Sequence, residues 1–260
     1  MFDTFHTAPT GGSPTQANRP TRWLLAALAV ALLWDASGAD LPVMQWLGTA
    51  QGFPLRNHWL LERVLHEGLR QAFTGLFWLM VVWALWPTRW ERPALCWLQL
   101  PRRERLGLVL LVLLSLLAVN LIKVQSQTSC PWELQDFGGR AAYVSHWNLW
   151  HADGGAGRCF PGGHASSALA FVALCLPWLS PPENQGPRRR TVGLRWLVAM
   201  VFLGLVAGGV QTLRGAHYPS HTLWTLVVCG SVSVMGWRLL HPVRRAPRPN
   251  PQAPCLDKRF

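Results

Sequence analysis

Apolar residues in this chain come in long uninterrupted runs, where a soluble fold would alternate them with polar positions. The runs cover 22–37, 72–86, 105–122, 164–179, 192–213 and 222–240. A bilayer core about 30 Å thick needs roughly 20 helical residues, at about 1.5 Å of rise each, to be crossed. The pattern therefore predicts an all-α polytopic membrane protein with about six transmembrane helices. The segment 58–70 reads differently. It places Leu61, Leu65 and Leu69 at helical spacing with Glu62, Arg63 and Glu67 between them, which predicts an amphipathic helix lying on the membrane surface.

Composition sharpens this picture. Half of the 260 residues are hydrophobic and only 14% are charged. Many of the 16 tryptophans flank the apolar runs, among them Trp23, Trp34, Trp78, Trp86, Trp178 and Trp237, as an interfacial aromatic belt requires. Residues 1–21 are rich in Thr, Pro and Gly and are expected to form a disordered cytoplasmic tail. Residues 22–240 form the membrane domain, and 241–260 a basic cytoplasmic tail rich in Pro and Arg. No internal repeat is evident.

The net charge of +12 is compatible with nucleic-acid binding, but no nucleic-acid module accompanies it and the basic residues sit beside apolar runs. Their one-sidedness is a topology signal. Arg19 and Arg22, the group Arg89, Arg92, Arg102, Arg103 and Arg105, the triplet Arg188 to Arg190, and Arg244, Arg245, Arg248, Lys258 and Arg259 all fall in one alternate set of segments. The other set holds Arg56, Arg63 and Arg70, balanced by Glu62 and Glu67, then Lys123, Arg140, Arg158 and Arg214. Both termini are thus expected in the cytoplasm, with the 123–164 loop and the 214–221 turn outside. In a bacterial inner membrane that side is the periplasm.

With this topology, polar residues that hydropathy does not explain converge on the outer interface. Lys123 ends the third run, Gly162-Gly163-His164 opens the fourth, and Arg214 with His217 lies between the fifth and sixth. Cations, imidazoles and a glycine turn at a helix N-terminus make an anion site, because exposed N–H groups and the positive helix end favour phosphate.

Lys123-x6-Cys130-Pro131, Pro161-Gly162-Gly163-His164 and Gln211-x2-Arg214-x2-His217-x3-His221 resemble the three signatures of the type 2 phosphatidic acid phosphatase superfamily, which also contains the vanadium haloperoxidases. The family's patterns are Lys-x6-Arg-Pro, Pro-Ser-Gly-His and Ser-Arg-x5-His-x3-Asp. This chain departs from them: Cys130 and Gln211 stand where the family has arginines, Gly162 where it has serine, and His221 where it has aspartate. Cys130-Pro-Trp132 and Arg214-Gly-Ala-His217 resemble a variant membrane branch.

The resemblance implies that His217 is the nucleophile and His164 the acid that protonates the leaving oxygen. Lys123, Arg214 and the Gly162 and Gly163 amides would bind phosphate, with Arg158, Arg140 and Gln211 as additional candidates. His221 would take the orienting position, accepting a hydrogen bond from Nδ1–H of His217 without supplying a carboxylate's charge. No cofactor or metal is implied. A rival reading has His217 and His221, at i and i+4, bind zinc with His146, His151 or Asp153. Cys130 and Cys159 both fall in the outer loop, where an oxidising compartment permits a disulfide between them.

The expected function is metal-independent hydrolysis of a phosphomonoester or pyrophosphate on a lipid, through a phosphohistidine, with membrane lipids as surroundings and no nucleic-acid partner. Phosphotransfer to another lipid would use the same residues. A non-catalytic lipid-binding or transport relative of the same fold is the alternative from another class. Oligomeric state and the identity of the lipid are left open.

Overall fold

A computed structural model describes residues 19–87, 100–148, 151–181 and 190–241. Residues 1–18 and 242–260 of the expected tails and the arginines at 89, 92, 188, 189 and beyond 241 lie outside these residues, whereas 19–21, expected in the first tail, open a helix. The described chain is helical, with two isolated bridges, Thr49 to Gly52 and Leu134 to Ala141, and no β-strand among the described residues. Helix α1 is Arg19–Ser37 and α2 is Asp40–Leu47, the two meeting at a 71° bend. Helix α3 is Leu60–Leu85 and α4 is Arg102–Gln125. Helix α5 is Gly163–Leu179, α6 is Arg190–Leu213 and α7 is Pro219–Leu240.

Among the described residues four helices (α3, α4, α6 and α7) are long and apolar enough to cross a bilayer, or five if the bent α1 and α2 count as one span. The run at 164–179, expected to be a sixth, is shorter and broken, wound as α, then 3-10 over Ala170–Cys175, then α again ahead of Ser180. Pro177 lacks the N–H that would continue the ladder. Nearly every residue of α5 from Ala165 to Leu179 is buried, packed among α3, α4, α6 and α7. By contrast Leu33, Leu79, Leu117, Val198, Phe202 and Leu239 are exposed on the outer helices. A water-soluble protein rarely shows so much apolar surface; a lipid-facing one must. These apolar helices mark an integral membrane protein.

The segment 58–70 does not lie apart as a surface helix. Its first part, Leu60–Gly68, is π-helical and runs straight on into Leu69–Leu85, and its Glu62 and His66 meet Arg214 and His164 from other parts of the bundle. At the end of α3, Arg105 of α4 is fully buried and donates to the carbonyls of Trp83 and Trp86 at 2.8 and 3.1 Å. A cation there satisfies helix-end carbonyls and complements the negative end of the dipole.

Helices α6 and α7 are joined by a tight link in which Gly215 has φ of +74°, a region costly for other residues. The pair approach closely: a Cβ on Gly208 would stand 2.1 Å from Oγ1 of Thr222. Over this end of the bundle the 126–162 segment folds into a cap. Its own small core gathers Leu134, Phe137 and Ala141 with Met44, Phe53 and Tyr218.

Candidate active site

Three separate stretches of sequence deliver the site to one end of the bundle. Lys123 stands in the last turn of α4; an added Cβ on Gly163 would lie 3.2 Å from its Nζ, so the ammonium sits against the first turn of α5. His164 is the next residue of α5, and its ring centroid is 6.3 Å from that of His217. His217 is buried in the link between α6 and α7.

The Nδ1 atom of His217 is 3.4 Å from Nδ1 of His221 and 3.4 Å from Sγ of Cys159. Cys159 is bridged to Cys130, with a Cα separation of 5.2 Å, so its sulfur carries no proton. The hydrogen between the two rings therefore belongs to an imidazole. If His217 donates it, the proton of His221 sits on Nε2, which is buried with no hydrogen-bond partner among the described residues. Nε2 of His217, on the other side of its ring, is left for chemistry. Burial holds the His217 imidazole well below the ordinary histidine value of 6.5, and Lys123, His164 and His66 push the same way. The ring is thus neutral, as a nucleophile must be.

Arg214 is buried and tethered. Its Nε donates to the carbonyl of Arg56 at 2.8 Å, and one terminal nitrogen lies 3.5 Å from Oε1 of Glu62. Gly162 gives its N–H to the carbonyl of His221 at 3.2 Å. That amide is therefore engaged within the protein. Gln211 is buried one turn before Arg214, its Nε2 without a partner among the described residues. Arg140 and Arg158 are exposed in the cap. The backbone N–H of Arg158 is bonded to the carbonyl of Ser126 at 2.7 Å, which holds it near the end of α4.

Of the residues of the zinc reading, the His146 ring lies 6.0 Å from that of His221, itself 5.6 Å from that of His217. His151 is exposed. Asp153 accepts from the amide and hydroxyl of Ser129 at 2.6 and 2.7 Å. His146 lies 3.3 Å from Asp35, in a group with Asp40 whose ligand atoms fall within 4.8 Å of one another. Asp35 also accepts from the indoles of Trp147 and Trp224 at 3.1 and 2.8 Å.

A family model described as PAP2 superfamily matches residues 105–245. The chain belongs to the PAP2 superfamily. Membership points to phosphatase-type activity on a phosphate substrate in a membrane protein, and the matched region contains Lys123, His164, Arg214, His217 and His221. No curated protein and no solved structure matches the chain.

Several participants were not read from the sequence of this PAP2 member. His66 touches His164, with ring centroids 4.0 Å apart. Glu62 holds Arg214 from the same segment. Asp40, near the bend after α1, accepts from the indole of Trp34 at 2.8 Å, from the amide of Ser220 at 3.1 Å, and from the Ser220 hydroxyl. It thereby caps the N-terminus of α7 from another helix, beside His221. An acidic residue at the edge of an apolar run was the signal available for it.

Proposed function

We propose that this protein is a metal-independent lipid phosphatase acting at the outer face of a bacterial inner membrane. Nε2 of His217 attacks phosphorus while the bond from phosphorus to the lipid oxygen breaks, and His164, made an imidazolium by the negative charge of the bound phosphate beside it, gives its proton to that oxygen. Water then attacks the phosphohistidine, His164 takes the water's proton, and the P–N bond breaks to release inorganic phosphate. Lys123, Arg214 and the Gly163 amide stabilise the charge on the phosphoryl oxygens through both steps.

The observation that carries this reading is the meeting of His217, His164, Lys123 and Arg214 at one end of a bundle with exposed apolar flanks. Leu121, Ile122 and Val124 beside Lys123, and Leu213 beside Arg214, are all exposed. A substrate with a phosphorylated head and an apolar tail fits such a border. Purified protein given a panel of lipid phosphates, including isoprenyl pyrophosphate, phosphatidate and lipid A, is expected to release inorganic phosphate from at least one. Release from none, by protein shown to be folded, would remove the reading in favour of a non-catalytic role.

A further inference from the structure

The polar face of the π-helical segment Leu60–Gly68 is turned into the site. Its Glu62 reaches Arg214 at 3.5 Å, and four residues on, His66 lies in ring contact with His164 at 4.0 Å. A π-helical stretch is rare, and where one occurs it frequently lies at a functional site.

Both ring nitrogens of His66 are withheld from solvent and have no hydrogen-bond partner among the described residues, and Nδ1 of His164 shares that condition. A buried polar group without a partner is unfavourable, and a structure that retains one calls for an explanation. Clustered orphans at a site are explained by a ligand that supplies the missing bonds. The charges acting on His66 are Arg214, Arg70, Glu67 and Glu62. Glu62 is already engaged by Arg214 and Glu67 by Arg63, at 3.7 Å, so both nearby carboxylates already have cationic partners, while Lys123 and Arg70 add positive charge beside His164. His66 lies outside the region matched to the family, 105–245.

We infer that His66 is a further substrate-binding residue, whose ring N–H donates to a phosphoryl oxygen of the phosphate bound between Lys123, Arg214 and His164. This rests on the phosphatase reading and deepens it. A neutral imidazole offers one donor, and a phosphate in a water-poor site needs a donor for each charged oxygen. At i and i+4 the histidine shares a helix face with Glu62.

The test is direct binding of inorganic phosphate to the full-length protein in nanodiscs, followed by phosphorus NMR, with lipid-phosphate turnover measured alongside. His66→Phe keeps a ring against His164 and removes the donor; it is expected to weaken phosphate binding about tenfold or more at unchanged thermal stability, and His66→Gln to recover part of the loss. Phosphate binding by His66→Phe within twofold of wild type would overturn the inference and leave the phosphatase reading standing. Should the Phe variant misfold, the ring-nitrogen resonances of His66 in labelled wild-type protein serve instead. They are expected to shift along the phosphate titration, and resonances that stay still while phosphate binds would overturn the inference. Wild-type protein that binds no phosphate at all would count against the phosphatase reading itself.

Discussion

Nδ1 of His217 faces Nδ1 of His221 across 3.4 Å, so an imidazole holds the place beside the proposed nucleophile that a carboxylate has in the family's third motif. An imidazole orients the ring without offering it a negative charge. Burial already holds His217 below 6.5, so the acid limb of kcat/KM is expected below that pH. His221→Asp should move the limb upward, because a carboxylate draws a proton onto the facing ring. An unmoved limb would refute the electrostatic role. Stability follows the same linkage: the unfolded chain takes up the His217 proton below about pH 6.5 and the folded chain does not. Stability is therefore expected to fall as pH drops through that value, by at most about 1.4 kcal/mol per pH unit for each such group.

His217→Ala and His164→Ala are each expected to abolish phosphate release, by at least about a hundredfold, with folding and membrane insertion retained. Wild-type turnover in the His217 variant would overturn the nucleophile assignment. Chelators are expected to leave turnover intact; loss on chelation and recovery with zinc would instead support metal catalysis.

The bridge from Cys130 to Cys159 closes a loop of 29 residues, for which chain-entropy arguments give roughly 3–4 kcal/mol. Since Cys159 also touches His217, Cys130→Ser should lower thermal stability and turnover together. Adding Cys159→Ser should change little further, because the link is already gone. Two thiols free to alkylation in unreduced protein would contradict the bridge.

Gly208→Ala tests how closely α6 and α7 must approach. The added methyl would meet Thr222, next to His221, and overpacking of this kind costs about 1–3 kcal/mol. Turnover is expected to fall more than stability requires, since the two helices frame His217. A variant with wild-type melting and turnover would show that the contact gives way freely.

Orientation is checked by labelling single cysteines in intact cells. Asn148→Cys is expected to react with an impermeant thiol reagent and Gly186→Cys to be protected. The reverse result would place the site in the cytoplasm.

The long helices were legible because length and hydropathy alone determine them: α4, α6 and α7 fall on their predicted runs. Helix α5 also falls on its run at 164–179, but Ala165, Ala168 and Ala173 read as apolar without revealing that they pack on all sides. The 58–70 segment shows a further limit. Its periodicity revealed a polar face, but a polar face is compatible with headgroups, water or a second polar site, and only the neighbours of Glu62 and His66 decide among these. Motif spacing singled out residues 123, 164, 214 and 217, and the structure brings them to one end of the bundle. Asp40 was not, because its partner Ser220 is 180 residues away.

The apolar collar around Lys123 also bears on how the enzyme meets its substrate. Leu121, Ile122 and Val124 are exposed, so under the proposed lipid-phosphatase function a lipid phosphate would arrive sideways, by two-dimensional diffusion within one leaflet. Its dephosphorylated product would return to the leaflet while inorganic phosphate departs into water. For such an enzyme the governing variable is the mole fraction of substrate in the surface. Diluting the substrate with inert lipid would slow turnover, whereas diluting the vesicles in buffer would leave the rate per enzyme unchanged.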